Sequence, residues 1–238
     1  MINKKFSKIL ISFFILISFN TFAGDFKQYN IYLIPSEKAH NYISKFNQHL
    51  ESTNLLNKYN TTPFIKDYPV HISLYLTSFQ AKHITQIENK LDTLIKNIKP
   101  FNIRTTNFTA SKNGFVMLDI LVSHNIQKLS NKIIKSLSVY RDKNYPAPSW
   151  VKFFPKKQES FDKYGSPNAF SEFTPHISVL AAAVLGDEEQ NNFEKDFSRI
   201  IKNIDLKPAS FKIKAIGFGE VNEYGQVIKP LHIYKLNS

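Results

Sequence analysis

"YPVHISLYLT", residues 68–77, carries a histidine and a serine through what otherwise reads as a buried apolar strand. In a strand, successive side chains point to opposite faces. Val70, Ile72, Leu74 and Leu76 are therefore expected on one face, and His71, Ser73, Tyr75 and Thr77 on the other. A second stretch, "FTPHISVLAA" at residues 173–182, repeats the tripeptide His-Ile-Ser. The same alternation sends Pro175, Ile177, Val179 and Ala181 one way and His176, Ser178 and Leu180 the other. Each strand thus offers a histidine and a hydroxyl side by side, backed by an apolar face.

The tripeptide by itself carries little weight. With seven histidines, this composition yields about one His-x-Ser/Thr match by chance, and three occur, at His71, His83 and His176. His83 precedes a helical apolar stripe that begins at Ile84, so it is expected to point to solvent and reads as the chance match. His40, His49, His124 and His232 have no companion hydroxyl in register and read as surface or packing residues.

The surroundings of the other two matches are what repeat. "YNIYLIP" (29–35) reads as a strand closed by Pro35, after which Ser36 caps a helix with Ala39, Ile43, Phe46 and Leu50 at helical spacing. Beyond the His71 strand, Ile84, Ile87, Leu91, Leu94, Ile95 and Ile98 form one helical stripe, stopped by Pro100. Two runs, 101–110 and 115–122, flank Asn113-Gly114, a strong hairpin signal. A helix over 125–139 follows, then an irregular stretch over 141–172, the His176 strand, a helix over 187–204, and strands over 211–222 and 227–236. Both halves run helix, histidine strand, helix, strand pair. The expected fold class is α+β: a duplicated bilobal unit of two mainly antiparallel sheets with flanking helices, related by a pseudo-twofold axis about a central cleft. The lobes are expected at about 24–122 and 123–238 of one domain, with the outer strands open to exchange.

The first residues bear on compartment. Lys4, Lys5 and Lys8 precede an uncharged run from Ile9 to Phe19 and then Thr21-Phe22-Ala23, the layout of a signal peptide cleaved after residue 23. The run is short of the ~20 residues that span a bilayer, so no membrane span is expected after cleavage, and the protein is expected in the periplasm or secreted. There is no cysteine, hence no disulfide and no lipidated cysteine; stability must come from packing, for which 42% apolar residues suffice. A net charge of +12 favours an anionic partner without choosing among nucleic acid, phosphorylated small molecules and a membrane surface.

If the two halves face each other, both His–Ser pairs converge on one cleft, a geometry suited to attack at phosphorus. One neutral imidazole takes a proton from the attacking hydroxyl or water, and the other, protonated, gives one to the leaving oxygen. Ser73 and Ser178 can donate to non-bridging phosphate oxygens. A serine nucleophile is disfavoured because no carboxylate stands at a suggestive position. A metal is disfavoured as well: there is no His-x-His, no His-x-x-x-His and no cysteine, and acidic residues are sparse around both strands. Tyr75, on the expected histidine face, could stack on a base. Residues 149–165 mix Trp150, Phe153 and Phe154 with Lys152, Lys156 and Lys157; they read first as a structural insertion and second as a nucleic-acid contact.

Paired His-x-Ser strands in a duplicated α+β chain resemble the 2H phosphoesterase superfamily, which includes 2′-5′ RNA ligase-like proteins and cyclic nucleotide phosphodiesterases. "FTPHISV" is the more specific match, and "YPVHISLYL" fits the first motif with Tyr75 two residues past the hydroxyl. The resemblance covers about Tyr29 to Leu236. It implies that His71 and His176 are the acid–base pair, that Ser73 and Ser178 bind phosphate, and that no metal or other cofactor takes part. It implies a nucleotide or RNA substrate, with a 2′,3′-cyclic phosphate, another cyclic nucleotide or an RNA end as the bond attacked. No stable DNA complex is expected, and the protein is expected to be a monomer. Serine in place of the commoner threonine is shared with the family's RNA 3′-end-trimming exonucleases, which keeps that activity open; an exported chain argues against joining of tRNA halves. A non-catalytic binder of nucleotides or of a partner protein is the competing class.

Overall fold

A computed structural model describes residues 27–182 and 185–237; the expected signal peptide lies outside the described residues. The elements are strand β1 (Gln28–Pro35), helix α1 (Glu37–Glu51), a short helix α2 (Leu55–Lys58), β2 (Ile72–Ser78), α3 (Ile84–Ile95), β3 (Phe101–Ala110), β4 (Phe115–Ile120), α4 (His124–Leu137), α5 (Pro155–Tyr164), β5 (His176–Ala181), α6 (Asp187–Asn203), β6 (Ser210–Val221) and β7 (Val227–Lys235). The fold is α+β, an antiparallel sheet with flanking helices. Among the described residues no helix is long and apolar enough to cross a membrane.

The helices form where apolar periodicity places them. All four stripe residues of α1 (Ala39, Ile43, Phe46 and Leu50) are buried, as are Ile87, Leu91 and Ile95 of α3. Ile126, Leu129, Ile133, Ile134 and Leu137 do the same in α4. Gly114 turns the β3–β4 hairpin at φ 82°, a conformation that glycine adopts without strain.

The strands run in the order β2-β1-β6-β3-β4-β5, with β7 also on β6. Every pairing is antiparallel. The two sheets implied by the sequence are joined into one path, because β3 and β6 are long enough to serve two partners. Residues 101–104 of β3 pair with β6, and the rest of the strand turns to β4. The histidine strands β2 and β5 stand at the two ends of this path, in contact with each other.

Strict alternation fails at one place in each histidine strand. Ser73 lies opposite Tyr32 and Tyr75 opposite Ile31, so Leu74 is an unpaired extra residue. Ser178 lies opposite Met117 and Leu180 opposite Val116, so Val179 is its counterpart. Each bulge falls on the residue after the serine and reverses the faces beyond it. Tyr75 and Leu180, expected beside the histidines, are therefore turned into the main core, at 1% and 0% exposure. Leu76, expected in the core, packs instead with Tyr32, Val221 and Val227 in a small second cluster.

Gly217 of β6 sits opposite Tyr32, and a Cβ there would lie 2.3 Å from the tyrosine ring. That ring is buried and meets the imidazole of His71 edge-on, with centroids 5.4 Å apart. Glycine is thus required for close approach. Gly217→Ala should lower stability by about 1–3 kcal/mol in urea unfolding, and the loss should shrink when Tyr32 is also replaced by leucine.

Candidate active site

His71 immediately precedes β2 and His176 opens β5. Their rings are held in the same way. Nδ1 of His71 lies 3.0 Å from the carbonyl of Pro69, and Nδ1 of His176 lies 2.8 Å from the carbonyl of Thr174, in both cases two residues upstream. A carbonyl only accepts, so each Nδ1 carries a hydrogen and donates it, which leaves Nε2 as the end available for chemistry.

At Nε2 the two rings differ. His176 has no Nε2 partner among the described residues. His71 Nε2 lies 3.2 Å from the carbonyl of Gly225 in the β6–β7 turn, a tight loop in which Asn222 Oδ1 accepts from the amides of Tyr224 and Gln226. A neutral imidazole has one N–H, so carbonyls at both nitrogens suit the protonated ring. Burial opposes that charge and outweighs the two carbonyls: the His71 pKa falls below its ordinary 6.5, with repulsion from His176 adding to the fall. Burial also lowers the His176 pKa; the Thr174 carbonyl and Asp119 pull it up, and Lys157 pushes it down.

Both motifs meet at one place. His71 and Ser178 line the same small pocket with Gln226, Tyr68 and Phe64, and the charges of His71 and His176 act on each other. Ser73 Oγ lies 2.7 Å from Nδ2 of Asn30, the buried amide of β1. Ser178 makes no side-chain hydrogen bond among the described residues. The structure therefore brings His71, His176 and Ser178 together, sets Ser73 two residues beyond His71 against Asn30, and leaves Tyr75 out. The bulge at Leu74 points Tyr75 away, its ring packs on Phe79, and its hydroxyl donates to the Tyr164 carbonyl at 2.6 Å. It cannot stack on a base from there.

Tyr75 instead anchors the segment expected to be irregular. Residues 155–164 form α5, with Pro155 in its first turn and Gly165 closing it at φ 72°; both signals stood in the sequence. Tyr75 and Thr77, whose Oγ1 donates to the Gly165 carbonyl at 2.8 Å, fasten the end of α5 to β2. Near the start of the helix Lys157 is half-buried, donating to Asn168 Oδ1 at 2.7 Å and to the Glu172 carbonyl at 3.3 Å. Asn168 Oδ1 also accepts from Thr174 Oγ1 at 3.4 Å, so Lys157 is tied into the loop that holds the His176 ring.

Sequence reasoning missed a carboxylate. Asp119 of β4 lies directly opposite His176, and cross-strand partners share a face. Burial raises the Asp119 pKa, while a hydrogen bond from Thr109 and the nearby His176 lower it. The signal was the alternation of "FVMLDI", which puts Phe115, Met117 and Asp119 on one face; what the sequence lacks is the register of β4 against β5.

In fold, the chain is similar to two solved bacterial proteins. TT0787 of Thermus thermophilus shares 10% identity over 88% of this chain and 97% of that one, with a TM-score of 0.52. E. coli LigT, solved in complex with ATP, shares 12% identity over 89% of this chain and 99% of that one, with a TM-score of 0.50. No curated protein matches the sequence. The two histidine strands stand on the fold of the 2H phosphoesterase class. A family model for the 2′-5′ RNA ligase superfamily matches residues 35–224, and the chain belongs to that superfamily.

Because Asp119 favours the protonated form of His176, Asp119→Asn should lower the His176 pKa further. The shift of the imidazole Cε1 proton with pH in NMR measures this, with His71 as the internal control.

Proposed function

We propose that the protein is a metal-independent phosphodiesterase that opens a 2′,3′-cyclic phosphate or another cyclic nucleotide, or cleaves a short RNA, outside the cytoplasm. The observation that carries the reading is the pair of imidazoles, each anchored through Nδ1 to the carbonyl two residues upstream at the head of its strand, and near enough for their charges to act on each other. Its placement in the periplasm or the medium rests on the leader sequence.

Water attacks phosphorus, one neutral imidazole takes the water proton, and the bond from phosphorus to the leaving oxygen breaks. The second, protonated imidazole gives that oxygen its proton. One water is consumed and a phosphomonoester remains. Ser73 and Ser178 donate to the non-bridging oxygens, where charge is held in the transition state, and Lys157 adds positive potential on the His176 side. The leaving or attacking oxygen replaces the Gly225 carbonyl at His71 Nε2, because that nitrogen cannot serve both. The anionic ligand that this chemistry calls for agrees with the net charge, and E. coli LigT was solved with a nucleotide bound. A second reading, trimming of RNA 3′ ends, is favoured by Phe153 and Phe154, exposed at 71% and 53% beside the first turn of α5.

His71→Ala and His176→Ala should each cost about 10²–10⁴-fold in kcat with the fold intact by circular dichroism; full activity in either would exclude the mechanism. EDTA should leave turnover unchanged. Turnover needs one ring neutral and the other protonated, and both pKa values fall below 6.5, so the pH–rate profile should be a bell with its maximum on the acid side of 6.5. Binding of 2′,3′-cyclic nucleotides without conversion at any pH would identify a binder instead.

A further inference from the structure

Asn30 interrupts the apolar core strand β1 between Tyr29 and Ile31, and it is fully buried. Its Nδ2 donates to Ser73 Oγ at 2.7 Å, and its Oδ1 is buried with no partner among the described residues. For the fold alone this is a poor choice, since a buried amide with an unpaired oxygen destabilises where an apolar side chain would not. The opposite orientation of the amide would leave both N–H groups without a partner, against one N–H and the oxygen as it stands, and an orphaned buried N–H is the rarer of the two, so Nδ2 is the end that meets the serine.

The direction of this hydrogen bond decides what Ser73 does. With Oγ accepting from Asn30, the hydroxyl hydrogen is left to point into the cleft. Among the described residues Ser178 has no such partner. When β4 is matched to β5 as β1 is to β2, the position of Asn30 is filled by Phe115. The two serines, identical in sequence context, are chemically unlike.

We propose that Asn30 is a positioning residue that commits Ser73 to donate its hydrogen to a non-bridging oxygen of a phosphate, making Ser73 the anchoring hydroxyl of the site. The inference rests on the phosphodiesterase reading for its substrate, and on the Asn30–Ser73 geometry for its anion.

Four variants test it: Asn30→Asp, Asn30→Leu, Ser73→Ala and the double variant Asn30→Leu/Ser73→Ala. Each is assayed for kcat/KM on a 2′,3′-cyclic nucleotide, for affinity for inorganic phosphate, and for melting temperature. Asn30→Asp keeps the shape and reverses the hydrogen bond, drawing the Ser73 hydrogen away from the cleft. Its loss should reach tenfold or more and deepen as pH rises and the introduced carboxyl ionises. Asn30→Leu should melt no lower than the parent yet lose about as much kcat/KM as Ser73→Ala, and it should add nothing in the Ser73→Ala background. Unchanged kcat/KM and phosphate affinity in Asn30→Asp, or losses that add in the double variant, would overturn the proposal. If the parent protein converts no phosphodiester, the proposed reaction is what fails, and the phosphate affinities of the same variants then decide the role of Asn30.

Discussion

The backbone ladder on β6 is the constraint on which the site depends. Ile213 and Ala215 to Val221 pair with β1 on one edge; on the other, the residues from Ala215 on pair with β7 and the first four with β3. Because β1 carries β2 and β3 carries β4 and then β5, this one strand fixes both histidine strands. Its partners come from both halves of the chain, so neither histidine is positioned by its own half alone. The β6–β7 turn that leaves the same strand returns to place the Gly225 carbonyl on His71. Slippage of β6 by one residue would exchange its faces and move Gly217 from under Tyr32, with His71 resting on that ring.

Much of this was legible in the sequence because burial enforces periodicity. Helices α1, α3, α4 and α6, the hairpin at Gly114 and the two histidine strands were all expected near where they lie. What escaped was of a different kind. An extra residue at Leu74 or Val179 leaves no mark in an apolar run, since the bulged residue and the one after it are both apolar and bury equally well; only pairing to the next strand reveals that the face has changed. Tyr75 was assigned to the wrong face for that reason. Asp119 and Asn30 were invisible as site residues because their neighbours across the sheet depend on register, a property of strand pairs that no single strand encodes. Helix α5 was missed for a milder reason: a proline start and a glycine stop were present, but the segment between them has only a weak apolar stripe.

The twin bulges have a functional consequence beyond the errors that they caused. A strand of unbroken alternation would keep every second residue after the histidine in the cleft, including Tyr75, Thr77 and Leu180. By reversing faces just past each serine, the chain limits the cleft-facing part of each strand to a histidine and a hydroxyl. The residues beyond are returned to packing. On β2 the returned residues are the tyrosine and threonine that fasten α5, and α5 carries Lys157 to the His176 side. The first motif thus helps to build the surroundings of the second.

Those surroundings make the cleft asymmetric although its backbone is duplicated. On one side His176 has a carboxylate across the strand and a lysine nearby, with a serine that no side chain restrains. On the other, the matching place to Asp119 is held by Ile34, His71 lies against a tyrosine ring and a backbone carbonyl, and its serine is gripped by an amide. Two coupled imidazoles share a proton in turn, and unlike surroundings bias which ring holds it. Burial lowers both pKa values, and what differs is the set of neighbours: Asp119 and Lys157 act on His176, the Gly225 carbonyl on His71. Ser73, in the grip of Asn30, stands on the apolar side of the pair, and Asp119 and Lys157 stand on the polar side.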